Sequence, residues 1–217
     1  MALKRIFLVL AILGLVVSGS SNCYAIIWSA NLLGNPGAET GVLSPWTVVG
    51  PMYVTASQAQ SSGTVYPHSG DYFFSGAGAP AAIADLMQNV DVSAYAAMID
   101  AGSALYSVGF WYQTEASDLA EGEIIFFDAT ATEIDSGASG SLSSSTWAFE
   151  SNIDPIPVGT RTIEVAVVGD LYSGTYVNAF FDDAYFKIGE GVVPEPATMS
   201  LLGMSLLGLF GIRRKRS

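Results

Sequence analysis

The sequence contains few of the residues that perform common enzymatic chemistry. Its 217 residues include one cysteine and one histidine, which excludes Cys-His nucleophiles, zinc clusters of the usual composition and most catalytic triads. Charged residues make up 13% of the chain, against about a quarter in an average protein. No glycine-rich phosphate loop precedes a helix, so the sequence gives no support for nucleotide chemistry.

Basic residues are scarce, and most of them lie near the two ends of the chain. Only Arg161 and Lys187, of 8 basic residues, fall between Ile26 and Val193, whereas this segment holds all but one of the 20 acidic residues. Nucleic-acid binding needs clustered Lys and Arg, so nucleic acid is excluded as a partner. A chain that is 50% hydrophobic is also unlike a disordered protein.

The N-terminal segment has the three parts of a secretory signal peptide. Basic residues at positions 4 and 5 precede an apolar run over residues 6–17, and Cys23 and Ala25 supply small residues at −3 and −1 of a cleavage site. We therefore predict a signal peptide over residues 1–25 that signal peptidase removes after Ala25.

Two alternatives to this signal peptide are less favoured. A retained membrane anchor needs an apolar run of ~20 residues, and this run is shorter. A lipoprotein signal needs a small residue directly before the modified cysteine, and Asn22 does not fit. Cleavage removes Cys23, the only cysteine, so the exported chain has no disulfide bond and must be stabilised by packing or by bound metal.

The C-terminal segment, residues 194–217, has a second three-part pattern. A proline break precedes an apolar stretch over residues 197–212, and a basic cluster follows it. The residues that define the pattern are Pro194, Glu195, Pro196, Arg213, Arg214, Lys215 and Arg216. A helix of this length spans only about 24 Å, so basic side chains must reach the interface to complete a membrane crossing.

The charges predict the orientation of this transmembrane helix. The positive-inside rule keeps the basic end in the cytoplasm, which places the acidic segment across the inner membrane. A buried hairpin helix is the alternative, and four adjacent cations disfavour it.

This tail resembles the PEP-CTERM sorting signal of Gram-negative bacteria that make extracellular polysaccharide. The Pro-Glu-Pro, the short glycine-containing span and the basic cluster occur in the order of that family. The resemblance implies that an exosortase, a membrane-embedded cysteine protease, recognises the tail and cuts near Pro194-Glu195-Pro196. The protein would be anchored transiently in the inner membrane and then sorted to the cell surface or the biofilm matrix.

The segment from residue 26 to 193 has the size of one domain and the pattern of β structure. Short runs with period-two alternation lie between Gly, Pro, Asp and Ser turns, without a sustained helical period. The predicted strands are Pro45–Val49, Met52–Ala59, Asp71–Ser75, Ile83–Val90, Leu105–Gln113, Gly122–Ala129, Thr146–Asn152, Arg161–Val168 and Asn178–Ile188. Short helical turns are an alternative at Pro80–Leu86 and Ser93–Ile99. We predict an all-β fold, a single β-sandwich or jelly roll, flanked by the signal helix and the transmembrane helix.

Alternation also predicts which strand faces are buried. Ile163, Val165 and Val167 share one face of their strand. In the last strand the predicted buried face holds Phe180, Asp182, Ala184, Phe186 and Ile188, and the opposite face holds Phe181, Asp183 and Tyr185. A carboxylate on an apolar face is costly unless it is paired or metal-bound. Because basic residues are so few in this segment, a cation is the favoured partner of Asp182.

Four segments resemble the galactose-binding-like jelly rolls of carbohydrate-binding modules. They are the opening segment Asn31–Trp46 with Glu39 in a Gly-rich turn, the His-Ser-Gly turn of Tyr66–Tyr72, the central strand at Tyr106–Tyr112, and the last strand at Phe181–Phe186. The segments occur in the order of that family and span nearly the whole domain. Ala38 departs from the family pattern, which has an aromatic residue there.

The resemblance implies a structural calcium ion. Its ligands would be Glu39, Asp182 or Asp183, and backbone carbonyls from Ser69 to Asp71. Oxygen ligands of these types suit Ca²⁺, and metal binding linked to folding would compensate for the missing disulfide bonds. The alternative is that these carboxylates are solvated turn residues.

Aromatic side chains make up 12% of the chain, more than a small core needs. Sugars stack on aromatic rings, so we predict sugar-binding residues among Trp111, Tyr112, Tyr72 and Tyr176. Only one of the neighbours Trp111 and Tyr112 can face inward. The alternative is that these rings simply fill the sandwich. The acidic surface favours a neutral polysaccharide, since it repels polyanions.

The sequence therefore predicts a non-catalytic, exported surface or biofilm-matrix protein that binds polysaccharide through a monomeric domain and contacts membrane only through its terminal helices. The first alternative is a structural matrix or adhesion protein with the same fold and no sugar site. A glycosidase that uses a pair of carboxylates comes third, because a sandwich of this size leaves little chain for a deep cleft. His68 is predicted to be a turn residue.

Overall fold

The computed structural model of the protein describes residues 26–115 and 117–191. The predicted signal peptide with Ala25 and the predicted tail from Pro194 to Ser217 lie outside these residues. Within the described ranges, no helix is long and apolar enough to span a bilayer.

The described residues form twelve β-strands and one short helical segment. The strands are β1 (Thr47–Val49), β2 (Tyr53–Thr55), β3 (Gln58–Gln60), β4 (Gly63–Val65), β5 (Phe73–Ser75), β6 (Ile83–Asp91), β7 (Ala104–Thr114), β8 (Leu119–Phe127), β9 (Glu133–Ala138), β10 (Ala148–Pro155), β11 (Thr162–Asp170) and β12 (Ala179–Glu190). A 3-10 turn at Ser93–Tyr95 leads into a helix at Ala96–Asp100 between β6 and β7.

Two five-stranded antiparallel sheets form a β-sandwich, which confirms the predicted all-β fold. Sheet I has the strand order β1-β6-β11-β8-β9, and sheet II has the order β10-β7-β12-β5-β2. The small hairpin β3-β4 forms a separate two-stranded sheet. Strands β9 and β10 are thus edge strands of different sheets.

The hydrophobic core lies between the two sheets. Sheet I contributes Ile163, Val165 and Val167, all at most 3% exposed, so the buried face predicted from their alternation is confirmed. Sheet II contributes aromatic side chains at alternate positions of β7, which include Tyr106, Phe110 and Tyr112. Burial of these apolar side chains is the main stabilisation of a chain without disulfide bonds.

The order and positions of the predicted strands agree with the structure, apart from three details. The predicted strand Met52–Ala59 is divided into β2 and β3, and β4 and β9 were not predicted. The helical alternative at Ser93–Ile99 is confirmed, whereas the alternative at Pro80–Leu86 is wrong because β6 begins at Ile83. Strand β9 is exposed along its whole length, so it has no alternation of polar and apolar residues to predict it.

The predicted faces of the last strand are wrong at its N-terminal half. The pairing of β12 with β7 has a β-bulge between Asp182 and Tyr185, and Asp183 has a positive φ of 46°. A bulge shifts the alternation by one residue. Phe181 therefore packs in the main core with Phe186, whereas Phe180 and Asp182 lie on the outer side of sheet II.

Part of the outer side of sheet II is covered. Phe73 and Phe180 form a second apolar cluster with Val65 of the β3-β4 hairpin, and Trp147 packs against it. The Trp147 indole donates a hydrogen bond to the Tyr66 carbonyl at 2.9 Å. This cover leaves open the half of sheet II formed by β10, β7 and the part of β12 around Tyr185. Ile26 and Trp28 lie against Gly189 at the C-terminal end of β12.

Candidate functional site

Three aromatic side chains lie together on the open half of sheet II, and we call them the outer aromatic face: Trp111, Phe149 and Tyr185. Strand pairing places them there, because Phe149 of β10 is opposite Trp111 of β7, and Tyr185 of β12 is opposite Gly109 of β7. Residues in these registers point to the same side of a sheet. Phe149 is 45% exposed, so the face is accessible to a ligand.

The rings of this face contact each other in a row. The Trp111 and Phe149 ring centroids are 5.3 Å apart, and those of Phe149 and Tyr185 are 6.2 Å apart with an angle of 21° between the planes. At one end, the His68 imidazole stacks on Trp111 at 3.7 Å. At the other end, Lys187 Nζ lies 5.2 Å from the centre of the Tyr185 ring.

Gly109 allows Tyr185 to lie close against the sheet. A Cβ at this position would approach the Tyr185 ring to 2.7 Å and the Glu150 carbonyl oxygen to 2.8 Å. The absence of a side chain thus leaves a shallow depression in the middle of β7 that the Tyr185 ring occupies. Phe149 and Tyr185 are therefore close to parallel, and aromatic rings of this kind suit the C–H face of a sugar ring.

The predicted sugar-binding residues are only partly brought together. Trp111 belongs to the outer aromatic face, whereas Tyr112 is 8% exposed and packs in the core, so its prediction as a surface residue is corrected. Tyr72 lies against the turn at Gly41, and Tyr176 lies in the loop after β11, beside Pro80. Among the described residues, no ring contact joins Tyr72 or Tyr176 to the outer aromatic face.

Sequence reasoning missed Phe149 and Tyr185. Strand β10 carries little apolar alternation, and the register that places Tyr185 on the outer side depends on the bulge in β12. The sequence does indicate one aromatic ring on the outer side of β7, because a strand must turn one of the neighbours Trp111 and Tyr112 outward. It contains no comparable signal for Phe149 or Tyr185.

Next to the outer aromatic face, the bulge of β12 contacts the turn that contains His68. Asp182 is fully buried, and its Oδ2 accepts hydrogen bonds from the amides of His68 (2.9 Å) and Ser69 (3.2 Å). Its Oδ1 accepts one from the amide of Asp183 (2.8 Å). Burial raises the pKa of Asp182 to about 7, an effect that the Ser69 amide opposes and the charge of Asp183 reinforces.

Asp183 holds the same turn through side chains. Its Oδ2 is 2.7 Å from His68 Nδ1, and its Oδ1 accepts a hydrogen bond from Ser69 Oγ at 2.9 Å. The serine hydroxyl thus bonds the aspartate rather than the histidine, which is not the arrangement that activates a serine nucleophile. His68 is positioned between Asp183 and the Trp111 ring, and the prediction that it is a turn residue agrees with this placement.

Glu39 contacts the far end of the same turn. Its carboxylate accepts hydrogen bonds from the amides of Asp71 (3.0 Å) and Tyr72 (3.1 Å), and it packs against Gly70, whose φ of 63° is left-handed. This left-handed φ favours glycine, and a Cβ at Gly70 would displace the Glu39 carboxylate. The predicted ligands Glu39, Ser69, Asp71, Asp182 and Asp183 therefore all contact one turn.

This arrangement does not by itself form a calcium site. The oxygens of Asp182 and Glu39 face amide hydrogens, which are donors and repel a cation. In the part of the chain that the structure describes, no three His, Cys, Asp or Glu side chains are grouped so as to hold a metal ion. The calcium ion stays a prediction, and the backbone amides are the partners that Asp182 has in this structure.

Comparison with known proteins identifies the C-terminal segment. Residues 192–216 match the PEP-CTERM protein-sorting motif. The PEP-CTERM match covers the Pro-Glu-Pro, the apolar stretch and the whole basic cluster, as the sequence predicted. The motif implies export and membrane-anchored sorting in Gram-negative bacteria. A search of curated protein sequences finds no match to this chain.

The sandwich upstream of the PEP-CTERM motif has the fold of carbohydrate-binding modules. It is similar to TmCBM61, solved in complex with β-1,4-galactotriose, at a TM-score of 0.50 and 26% identity over 73% of this chain and 98% of that one. This confirms the predicted resemblance to carbohydrate-binding-module jelly rolls.

Two further structures share the fold alone. The enzymatically active domain of tailspike protein 4 from bacteriophage CBA120 has a TM-score of 0.54 and 16% identity over 72% of this chain, which spans only 21% of the tailspike chain. A cyclase from Fischerella sp. TAU has a TM-score of 0.54 and 9% identity over 77% of this chain and 100% of that one.

Proposed function

We propose that this protein is an exported, non-catalytic surface or extracellular-matrix protein whose sandwich binds a neutral polysaccharide through the outer aromatic face. The observation that carries the proposal is the row of Trp111, Phe149 and Tyr185 on the open half of sheet II. Exposed aromatic rings on a rigid sheet provide binding area with little loss of side-chain entropy.

The shape and charge of this face support an extended, neutral ligand. The row runs across β10, β7 and β12 and is open to solvent at Phe149, so a polymer can lie along it without entering a pocket. The surrounding domain is strongly acidic, which repels polyanionic glycans. Because TmCBM61 was solved with β-1,4-galactotriose, β-1,4-linked galactose oligosaccharides are the first probes to test.

The absence of catalysis is part of the proposal. The chain has a single histidine, which is held between Asp183 and Trp111, and Ser69 bonds to Asp183 rather than to this histidine. Two of the structures with a similar fold are an enzyme domain and a cyclase. The proposed absence of catalytic activity is therefore tested directly. We expect no hydrolysis of model glycosides by the full-length protein; activity that a Glu or Asp substitution abolishes would revive the glycosidase alternative.

The binding proposal is tested with a glycan panel and two truncating variants of the full-length protein in mild detergent. Phe149→Ala removes the exposed ring at the centre of the row, and Trp111→Ala removes the ring at the end of the row, where His68 stacks. We expect each to weaken binding by about tenfold or more, equivalent to ~1.4 kcal/mol. The measurements are isothermal titration and retention on polysaccharide affinity gels.

A matched control is Tyr172→Ala, which removes an aromatic ring that is 74% exposed and lies in the loop after β11, away from the outer aromatic face. This variant should bind as the parent protein does. Failure of the parent to bind any glycan, including the exopolysaccharide of its own cells, would favour the structural matrix or adhesion protein without a sugar site.

A further inference from the structure

A concave site lies between the two sheets, apart from the outer aromatic face. The open side of the sandwich, where edge strands β9 and β10 come from different sheets, encloses a cleft of about 610 Å³. A volume of this size accommodates a small-molecule ligand or a few sugar units.

The walls of this interstrand cleft are polar where a closed sandwich would be apolar. Strand pairing places Glu150, Asn152 and Asp154 of β10 on the side of Tyr106 and Phe110, which face the core. In β9, Asp135 is opposite the buried Phe126 and so faces inward as well. Each edge strand therefore turns hydrogen-bonding groups toward the space between the sheets.

The floor of the cleft is apolar and aromatic. Tyr106 and Phe110 of β7 line it from sheet II, and Ile124 and Phe126 of β8 line it from sheet I. The Tyr106 hydroxyl contacts the wall by accepting a hydrogen bond from Asn152 Nδ2 at 3.2 Å. Burial raises the pKa of Tyr106, the charges of Asp154 and Asp135 add to this, and the hydrogen bond from Asn152 opposes it. Asp154 is opposite Tyr106 in the pairing of β10 with β7.

The hydrogen-bonding groups of the cleft are mainly acceptors. The walls carry the carboxylates of Asp135, Glu150 and Asp154, and the Asn152 amide already donates to Tyr106 and to Asp154. Within the described residues, no Lys or Arg lines the cleft. A ligand that satisfies it must donate hydrogen bonds, carry positive charge and place an apolar ring face on the aromatic floor.

We propose that this cleft binds an amino sugar with free, protonated amino groups, as a short oligosaccharide or a segment of a polymer. The ammonium groups pair with the wall carboxylates, the hydroxyl groups donate to the remaining acceptors, and the C–H face of the ring packs on Tyr106 and Phe110. Charge-assisted hydrogen bonds are stronger than neutral ones, so the free amine rather than the sugar ring determines the affinity.

The first test compares glucosamine tetramer with its fully N-acetylated counterpart by isothermal titration on the full-length protein. The two ligands have the same sugar backbone, and only the first is cationic. We expect the free-amine tetramer to bind at least about tenfold more tightly. Spermidine tests whether a cation without a sugar ring suffices, and tight binding of spermidine would overturn the sugar assignment.

Charge variants distinguish binding in the cleft from nonspecific attraction of a cationic ligand to the acidic protein. The variants Glu150→Gln and Asp154→Asn remove carboxylates from the cleft wall. Glu121→Gln and Asp85→Asn remove equal charge from the outer side of sheet I, where both residues are opposite Val168. Only the first pair should weaken binding of the free-amine tetramer, by about tenfold for each variant. Equal losses in both pairs would show nonspecific attraction and overturn the proposal.

A steric variant blocks the cleft without changing its charge. Gly137 of β9 lines the cleft opposite Ile124, and a Cβ there meets only Ile124 Cγ2, at 3.7 Å. Gly137→Leu should abolish binding of the glucosamine tetramer and leave both thermal stability and neutral-glycan binding at the outer aromatic face unchanged. Unchanged tetramer binding in a folded Gly137→Leu protein would contradict the site, whatever the outcome at the outer aromatic face.

Discussion

At the residue scale, Asp85 shows how the excess of acid affects this domain. It lies on the outer side of sheet I near Asp170 and Glu123, and its Oδ1 is buried without a hydrogen-bond partner among the described residues. Burial, together with the charges of Asp170 and Glu123, raises the pKa of Asp85 from 3.8 to about 6. Between these two pH values the folded state holds a proton that the unfolded state has lost.

This shift predicts the effect of Asp85→Asn on stability. Because the folded state binds more protons, the free energy of unfolding falls as the pH rises from about 4 to about 6, and the penalty is fully present above pH 6. Removing the charge should stabilise the protein at pH 7 by about 1 kcal/mol, a value reduced for solvent screening. The gain should vanish near pH 4, as measured by urea unfolding at both pH values.

Asp91 of the same strand provides the control. Hydrogen bonds from Ser93 lower the pKa of this exposed carboxyl, so its charged form stabilises the fold. Asp91→Asn should therefore destabilise the protein at pH 7, the opposite sign to Asp85→Asn. Stabilisation by both variants would mean that general charge repulsion, not the local environment of Asp85, sets the effect.

Asp182 shows what sequence reasoning could resolve at a single residue. The alternation of β12 predicts that burying the Asp182 carboxylate costs free energy. Because basic residues are few, the sequence predicts a cation as its partner. The structure supplies three backbone amides instead. Backbone donors belong to every sequence, so their convergence on one carboxylate depends on the fold of the turn at His68 and is invisible in composition.

At the scale of elements, strand pairing rather than side-chain type creates the outer aromatic face. Phe149 and Tyr185 are 36 residues apart, and each reaches Trp111 or its neighbour only through the registers of β10 and β12 with β7. Central strand β7 was predicted within a residue of its ends. Edge strand β9 was not predicted, because all its residues are exposed and it therefore lacks the alternation of apolar and polar residues that indicates a strand.

Gly109 in β7 tests how tightly these elements pack. Gly109→Ala places a Cβ 2.7 Å from the Tyr185 ring and 2.8 Å from the Glu150 carbonyl, so β10 or β12 must move. We expect a loss of about 1–3 kcal/mol in the free energy of unfolding and weaker neutral-glycan binding. Urea unfolding followed by circular dichroism measures the first, and isothermal titration measures the second.

Gly137→Ala is the matched substitution in edge strand β9. A Cβ there has ordinary contact with Ile124 alone, so stability should change by no more than about 0.5 kcal/mol. Equal losses at Gly109 and Gly137 would indicate a general cost of replacing strand glycines and would contradict the role given to close packing under Tyr185.

At the scale of the whole molecule, charge and hydropathy are divided between segments with different roles. The basic residues belong mostly to the terminal segments, and the sandwich is acidic. The match at residues 192–216 to the PEP-CTERM motif implies that the C-terminal segment directs sorting. Loss of both ends would leave an acidic β-domain that keeps only Arg161 and Lys187 as basic residues.

Mass spectrometry of the protein extracted from the cell surface tests this processing. We expect a chain that begins at Ile26 and ends near Pro194-Glu195-Pro196. Replacing these three residues by alanine should leave the chain in the inner membrane with its tail intact. Recovery of uncleaved protein at the surface would contradict processing by an exosortase-type protease.

The sequence by itself determined the sorting signal, the all-β class and most strand positions, because these depend on local order: apolar runs, charges at their ends and alternation along a strand. Only the tertiary structure decided which aromatic rings share a face, which partners Asp182 has, and that the sandwich is open between β9 and β10. Those properties depend on register, on one bulge in β12 and on edge strands whose neighbours are distant in the chain, and no local pattern encodes them.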